Sequence, residues 1–232
     1  MIDWHSHILP LMDDGSRSVD ESVSMLNLMS DQGVSHVIAT PHFYANLDSI
    51  ESFLSRRRSS LEALNEHIKK THPLILCGAE VKYYPGIAKF KDLSLLTIED
   101  TRILLLEMPM IRWTEYTVNE LIELSSTRSL TVVLAHIERY FGSQSLQVFH
   151  RLRENGIYMQ VNASYFNRIL SRRKALSLLD AGLIQFLGSD AHNMTDRVPN
   201  LGSAYKVIEN KFGENFVKQM NEFGNRHLGH YN

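Results

Sequence analysis

Imidazoles and carboxylates recur along this 232-residue chain, each just after a short apolar run. His5 and His7 are one residue apart. On a strand, residues i and i+2 point the same way, so the pair can chelate one cation. Thr40-Pro41-His42 follows the second run, Cys77-Gly78-Ala79-Glu80 the third, Leu106-Glu107 the fourth, Ala135-His136 the fifth and Gly188-Ser189-Asp190-Ala191-His192 the last. Each residue alone has an ordinary reading: a polar edge strand for His5 and His7, a loop for His42, solvation for Glu80 and Glu107, a structural imidazole for His136, a capped turn for Asp190 and His192. Together those readings need one coincidence per strand end. A carboxylate buried without a partner is costly, and a bound cation removes that cost. The joint pattern therefore favours a metal site.

The donor set is His5, His7, His42, Glu80, Glu107, His136, Asp190 and His192, with Asp14 of Asp13-Asp14-Gly15 as a further candidate. A single zinc takes roughly four ligands. This set suffices for two or three ions with a bridging carboxylate. Its all-nitrogen-and-oxygen character suits Mn, Fe or Zn. Arg139, just after His136, and Arg197, just after His192, fall in the loops that should overhang such ions. Most arginines are merely solvated, but a guanidinium placed there can grip phosphate oxygens two at a time. Arg56-Arg57-Arg58 and Arg172-Arg173-Lys174 lie in helical patterns and read as solvated helix faces. The sole thiol, Cys77, is followed at the sixth position by Tyr83 rather than by the arginine of a C-x5-R phosphate loop. It reads as a small strand residue.

The elements that must position these groups follow from periodicity. Met1–Trp4, Val34–Ala39, Leu74–Cys77, Ile103–Leu106, Thr131–Ala135, Ile157–Val161 and Ile184–Leu187 are short and apolar, as buried parallel strands are. Between them lie helical patterns. Ser18-Val-Asp-Glu21 and Asp48-Ser-Ile-Glu51 have the capping-box form, and 114–126, 145–155, 171–181 and 204–211 read as helices. Gly33, Gly156 and Gly182 each stand between a helix end and a strand start, where glycine accepts a left-handed cap. Alternating strands and helices with short links give an α/β fold with a parallel sheet, closed as a barrel. The carboxyl ends of barrel strands form the active face. The glycine-rich dinucleotide fingerprint and the phosphate-binding loop motif are missing. Phe212, Phe216, Val217 and Met220 place a helix after residue 200, and His227-Leu-Gly-His230 reads as a frayed terminus.

Composition narrows the class. Hydrophobic residues make up 44% and charged residues 22%, an ordinary globular balance, so the whole of 1–232 is expected as one domain. The formal net charge of −2 disfavours a dedicated nucleic-acid binder. One cysteine excludes a disulfide framework and a zinc ribbon and suits a reducing cytosol. The N-terminus lacks a secretory signal and no apolar run could cross a membrane, so a cytoplasmic location without membrane insertion is expected.

Read in order, His5-Ser-His7, Asp13-Asp14-Gly15, Thr40-Pro41-His42, Gly78-Ala-Glu80, Glu107-Met-Pro109, His136-Ile-Glu-Arg139-Tyr140 and Ser189-Asp190-Ala191-His192-Asn193 resemble the PHP (polymerase and histidinol phosphatase) superfamily. Within it they are most similar to the bacterial protein-tyrosine phosphatases encoded with capsule and exopolysaccharide genes. The resemblance spans about residues 1–200. It implies a distorted (β/α)7 TIM-like barrel and a trinuclear site, usually described with manganese. His5, His7, Glu80 and Asp190 would hold one ion. Glu80, Glu107 and His136 would hold a second, and His42 and His192, with Asp14, a third. Arg139 and Arg197 match phosphate-binding positions, and the implied partner is the tyrosine-rich tail of a tyrosine autokinase. Phe43, Ile137, Val198 and Leu11 depart from the usual pattern, which touches loop shape and substrate choice rather than the donors.

The expected chemistry is attack on phosphorus by water acidified to a pKa of roughly 7, with the arginines stabilising the equatorial oxygens. His42 and Asp14 are candidates for the general acid. Competing readings are another PHP phosphoesterase, such as one acting on histidinol phosphate, a metal-dependent nuclease, or a non-catalytic module that binds a kinase tail.

Overall fold

The computed structural model describes residues 1–229. The chain runs β1 (Ile2–Ser6), α1 (Val19–Asp31), β2 (His36–Ala39), β3 (His42–Phe43), α2 (Ile50–Asn65), β4 (Leu74–Cys77), β5 (Glu80–Lys82), β6 (Ile103–Glu107), α3 (Glu115–Thr127), β7 (Thr131–Leu134), α4 (Leu146–Glu154), β8 (Tyr158–Asn162), α5 (Ala163–Asn167), α6 (Ile169–Asp180), β9 (Phe186–Gly188), α7 (Leu201–Phe212) and α8 (Glu214–Leu228). Every apolar run singled out above overlaps a strand. The second and last strands begin two residues later than the pattern suggested.

All described strand pairs are parallel, in the orders β1-β2-β4 and β3-β5-β6-β7-β8-β9. Two interruptions separate these groups. Thr40-Pro41 parts β2 from β3, where proline has no amide proton to give a ladder, and Gly78-Ala79 parts β4 from β5. Pairing nonetheless crosses the breaks, because the amide of Gly78 donates to the Ala39 carbonyl at 2.8 Å and that of Glu80 to Pro41 at 3.0 Å. At the other side the amides of Asp190 and His7 donate to the carbonyls of His5 and Ala191, both at 2.8 Å. The result is a curled parallel sheet.

Both faces of that sheet are apolar, as a parallel sheet requires. Alternate residues of a strand point oppositely. Val37, Leu104, Leu106, Val132 and Leu134 meet helix residues such as Met25, Phe53, Leu121 and Phe149. Ile38, Ile103, Leu105 and Val133 form a second, inner cluster with Ile2, Trp4 and Phe186. α8 covers this inner cluster through Leu228 and Phe223. His227 packs edge-on against Tyr158 and Phe186 and tilted against Phe223, so it is a packed helix residue and not part of a frayed end. His230 lies outside the described residues.

The helix punctuation is largely as expected. Gly33, Gly156 and Gly182 have φ of 79°, 79° and 67°. Each donates backward while the following amide reaches the helix's third-last carbonyl (Val34 to Met29 at 3.0 Å, Ile157 to Leu152 at 3.1 Å, Leu183 to Leu178 at 3.0 Å), the Schellman pattern. Ser18 caps α1 by accepting from the Glu21 amide at 3.1 Å, but Glu21 reaches back to the Arg17 amide rather than to Ser18. α2 is capped by Ser49, one residue after the expected Asp48, because Asp48 is taken by an ion pair with Arg56. α6 and α7 begin at Ile169 and Leu201, earlier than their apolar periodicity suggested. The arginine runs are not simply solvated: Arg57 donates to the Gly78 carbonyl at 2.6 Å, and Arg172 to those of Phe166 and Asn167, both at 3.0 Å.

Candidate metal centre

His5 and His7 leave the end of β1, His42 opens β3, Glu80 opens β5, Glu107 closes β6, and His136, Asp190 and His192 follow β7 and β9. His42 and Glu80 also lie just beyond the ends of β2 (Ala39) and β4 (Cys77), so each of these residues stands at or past the carboxyl end of a strand, and their side chains meet. His5 Nε2 lies 3.2 Å from His7 Nε2 and 3.2 Å from Glu80 Oε2. Glu80 is the hub: its Oε2 also stands 2.9 Å from His42 Nδ1 and 3.4 Å from His7 Nε2, and its Oε1 2.7 Å from His136 Nε2. Asp190 Oδ1 lies 3.6 Å from both His5 and His7. Glu107 Oε1 is 3.9 Å from His136. Asp14, 65% exposed, closes the mouth 3.4 Å from His42 and 3.5 Å from His192.

Donor atoms gather into three groups small enough to hold an ion: His5, His7 and Asp190; His42, Glu80 and Glu107; and His7, Asp14, His42 and His192. His42 thus sits in two of the groups, and His7 likewise, which differs from the partition that the resemblance implied.

The imidazole tautomers test whether these residues fit a cation. His7 Nδ1 donates to Asp13 Oδ2 at 2.7 Å, and His192 Nδ1 donates to the Asp190 carbonyl at 3.0 Å. His5 is fixed less directly. The His136 amide donates to Gln160 Oε1 at 2.6 Å, so that atom is an acceptor, and His5 Nδ1, 3.3 Å from it, must carry the proton. In all three rings Nε2 is left to face the cluster. His192 Nε2 is buried there without a hydrogen-bond partner among the described residues. Nε2 turned toward a shared set of donors, with Nδ1 held by an outer acceptor, is the arrangement metal-binding histidines adopt. The residues fit the group.

Charge tells the same story. Burial works against charging His7, but Asp13 and Glu80 outweigh it and hold the ring up to about 10. Burial would also favour neutral Glu80, yet His5, His136 and His42 keep its carboxyl well below the usual range. Burial together with the His7 charge pushes His192 down to about 4. Without a cation, protons fill part of its place; a cation displaces them.

Arg139 and Arg197 both reach Asp190 Oδ2, at 2.5 and 2.7 Å, on the side away from the imidazoles. Their side chains are 32% and 35% exposed, so both remain open to a ligand at the rim. Arg197 Nη1 also approaches Asp14 Oδ2 at 4.0 Å. His136 and Asp190 have φ of 36° and 53°, left-handed backbone that non-glycine residues hold only where the surroundings enforce it.

Three residues that matter here were not singled out by sequence reasoning. Asp13, not Asp14, orients His7, and it also accepts from the amides of His42 (2.8 Å) and Gly15 (3.0 Å). Gln160 and Asn162 come from β8, a strand without a donor in the cluster. Gln160 Nε2 donates to Asn162 Oδ1 at 3.0 Å, and Asn162 Nδ2 to Asp190 Oδ2 at 2.8 Å. This amide relay ties His5, His136 and Asp190 together. Cys77 is buried at the end of β4, its thiol pushed up to about 12 by burial and by Glu99.

Comparison with known proteins agrees with this geometry. Residues 1–226 match the family described as capsular polysaccharide synthesis, CpsB/CapC. The chain is 32% identical over 231 residues to tyrosine-protein phosphatase YwqE of Bacillus subtilis (strain 168), covering 96% of this chain and 89% of that protein. It is 31% identical over 238 residues to tyrosine-protein phosphatase CpsB of Streptococcus agalactiae serotype V, covering 95% and 94%. A solved structure described among those of YwqE from Bacillus subtilis and CpsB from Streptococcus pneumoniae, unique metal-dependent tyrosine phosphatases, matches with a TM-score of 0.81 at 27% identity, covering 96% of this chain and 92% of that one. On the extent of that match, this chain belongs to the CpsB/CapC family of capsular polysaccharide synthesis.

Proposed function

We propose that this chain is a metal-dependent protein-tyrosine phosphatase whose single domain spans 1–232. The observation that carries the reading is the meeting of imidazole and carboxylate donors from separate strand ends beneath two arginines that share Asp190 Oδ2. The names of the relatives support it, and they give no favour to a histidinol-phosphate phosphatase or a nuclease. We read β2 with β3, and β4 with β5, as single interrupted staves, which makes the curled sheet a distorted (β/α)7 barrel.

Two or three divalent ions, manganese first among them, would be held by His5, His7, Asp14, His42, Glu80, Glu107, His136, Asp190 and His192. When bound they supply Lewis-acid activation of water and neutralise phosphate charge. The remaining chemistry falls to the chain. Arg139 and Arg197 grip the phosphoryl oxygens and stabilise charge as the ester bond breaks. Asp190 Oδ2 holds both guanidiniums in register. Of His42 and Asp14, side by side at the mouth, whichever does not hold a cation is the candidate to give a proton to the departing phenolic oxygen, whose reference pKa of about 10 makes it an undemanding leaving group. The substrate is a phosphotyrosine-bearing protein, for which the tail of a tyrosine autokinase is the candidate. No helix among the described residues is long and apolar enough to cross a membrane, and we place the enzyme in the cytoplasm.

The test is hydrolysis of a phosphotyrosine peptide by the metal-loaded protein, compared with Arg139→Ala. The expected result is turnover by the native chain and a loss of about two orders of magnitude in kcat for the variant, as for removal of other transition-state donors, with metal content retained. Turnover on no phosphoester, with metal bound, would return the chain to the binding-module reading.

A further inference from the structure

Two of the cavities that border the donor cluster differ in character. One, of about 300 Å³, lies beyond Arg139 and Arg197 and is charged on most sides, by Glu138, Arg168 and Asp196 as well as the two arginines. The other, a cleft of about 490 Å³, opens directly from Asp14 and His42. Of its charged residues, Asp13 is held by His7 and two amides, and Asp48 and Arg56 pair with each other, while the exposed Asp14 belongs to the donor cluster. Its apolar lining is Met12, Tyr44 and Leu47, with Ser52 beside them.

Tyr44 is half-buried with its ring 5.5 Å from that of His42, so an aromatic surface abuts the donors. Leu47 is 76% exposed at the rim. Leu11, next to Met12, is 79% exposed with φ of 61°. A leucine is held in the left-handed region only against its preference. The surrounding loop enforces it, through the Leu11 amide on the Ser16 carbonyl at 2.9 Å and the Ser16 amide on the His7 carbonyl at 3.0 Å. Leu47 thus exposes an apolar side chain at the rim of a cleft that begins at Asp14 and His42, and Leu11 exposes another beside the cleft-lining Met12.

We infer that this cleft seats the aryl ring of the substrate, with Tyr44 against the ring and Leu47 forming the lip, so that Tyr44 sets the preference of the site for aryl over alkyl phosphomonoesters. The inference rests on the phosphatase reading above. A phosphoryl group held between the arginines and the donors must send its ester substituent somewhere. The cleft beginning at Asp14 and His42 is the exit with an apolar wall, and its size falls within the roughly 300–1,000 Å³ of small-ligand pockets. A ring laid against Tyr44 gains offset or edge contacts beyond simple burial.

The experiment compares a phosphotyrosine peptide with the same peptide carrying phosphoserine, using metal-loaded native protein, Tyr44→Ala and Tyr44→Phe, with inorganic phosphate as a competitive inhibitor. In Tyr44→Ala the KM for the phosphotyrosine peptide rises about tenfold, the worth of one good aromatic contact plus its buried area. The aryl-over-alkyl ratio of kcat/KM falls by the same factor, while the inhibition constant for phosphate moves less than twofold. Tyr44→Phe, which keeps the ring, stays within about twofold of native. An unchanged aryl preference in Tyr44→Ala, or an equal rise in KM for both peptides and in the phosphate constant, overturns the ring seat while leaving the phosphatase reading intact. Absence of hydrolysis of either peptide by the native protein overturns both.

Discussion

Replacing Gln160 by methionine keeps the volume of a fully buried side chain and deletes its polar atoms. Gln160 Oε1 accepts from the His136 amide at 2.6 Å and faces His5 Nδ1 at 3.3 Å, and Nε2 donates to Asn162 at 3.0 Å. Gln160→Met therefore strands two buried donors and one acceptor. At roughly 1–3 kcal/mol for each unsatisfied group, with relaxation of Asn162 recovering part, the loss of stability is about 3 kcal/mol. For a domain of this size that lowers Tm by about 6–12 °C. The second effect is specific. With no acceptor at Nδ1, nothing fixes the His5 proton there, and the outer-shell penalty on metal affinity is about 10–100-fold. Gln160→Glu keeps an acceptor for both donors and should retain more affinity than the methionine variant. Calorimetric titration with manganese, thermal melts, and ring-nitrogen NMR of His5 separate the effects. Native metal affinity in Gln160→Met, or a His5 ring that still holds its proton at Nδ1, would refute the relay.

Other changes should act through equally local causes. Cys77, buried with its thiol near 12, carries no thiolate at pH 8; iodoacetamide should leave the folded protein unmodified and the activity intact, and mass spectrometry of alkylated protein checks this. A methyl group on Gly188 would come within 2.5 Å of His5 Cβ and 2.9 Å of Gln160 Nε2; Gly188→Ala should cost about 2 kcal/mol or more by overpacking and lower metal occupancy, both absent if β9 can shift freely.

The donors were legible because their chemistry repeats at a recognisable place: each polar residue follows an apolar run, and in a parallel sheet those positions share one mouth. The strands β3 and β5 were not, since two or three residues show no period, and the breaks at Pro41 and Gly78 read as ordinary loop punctuation. Which of Asp13 and Asp14 faces His7 is decided by the turn at Gly15, whose Cβ would meet the His7 carbonyl at 2.4 Å; adjacent aspartates look alike until that turn is built. Gln160 and Asn162 carried no signal because an uncharged amide on a central strand resembles a tolerated polar residue. Arg57 and Arg172 misled for the opposite reason: three basic residues in a helix usually mean a solvated face, yet Arg57 donates to the Gly78 carbonyl between β4 and β5, and Arg172 to the carbonyls of Phe166 and Asn167 just before its own helix.

The central claim is that these donors hold cations needed for phosphotyrosine hydrolysis. The direct measurement is elemental analysis of the purified protein alongside hydrolysis of a phosphotyrosine peptide, before and after chelation and after manganese is restored. Two or three divalent ions per chain, with activity that disappears on their removal and returns with them, is the predicted result. Full turnover by protein stripped of metal would contradict the account.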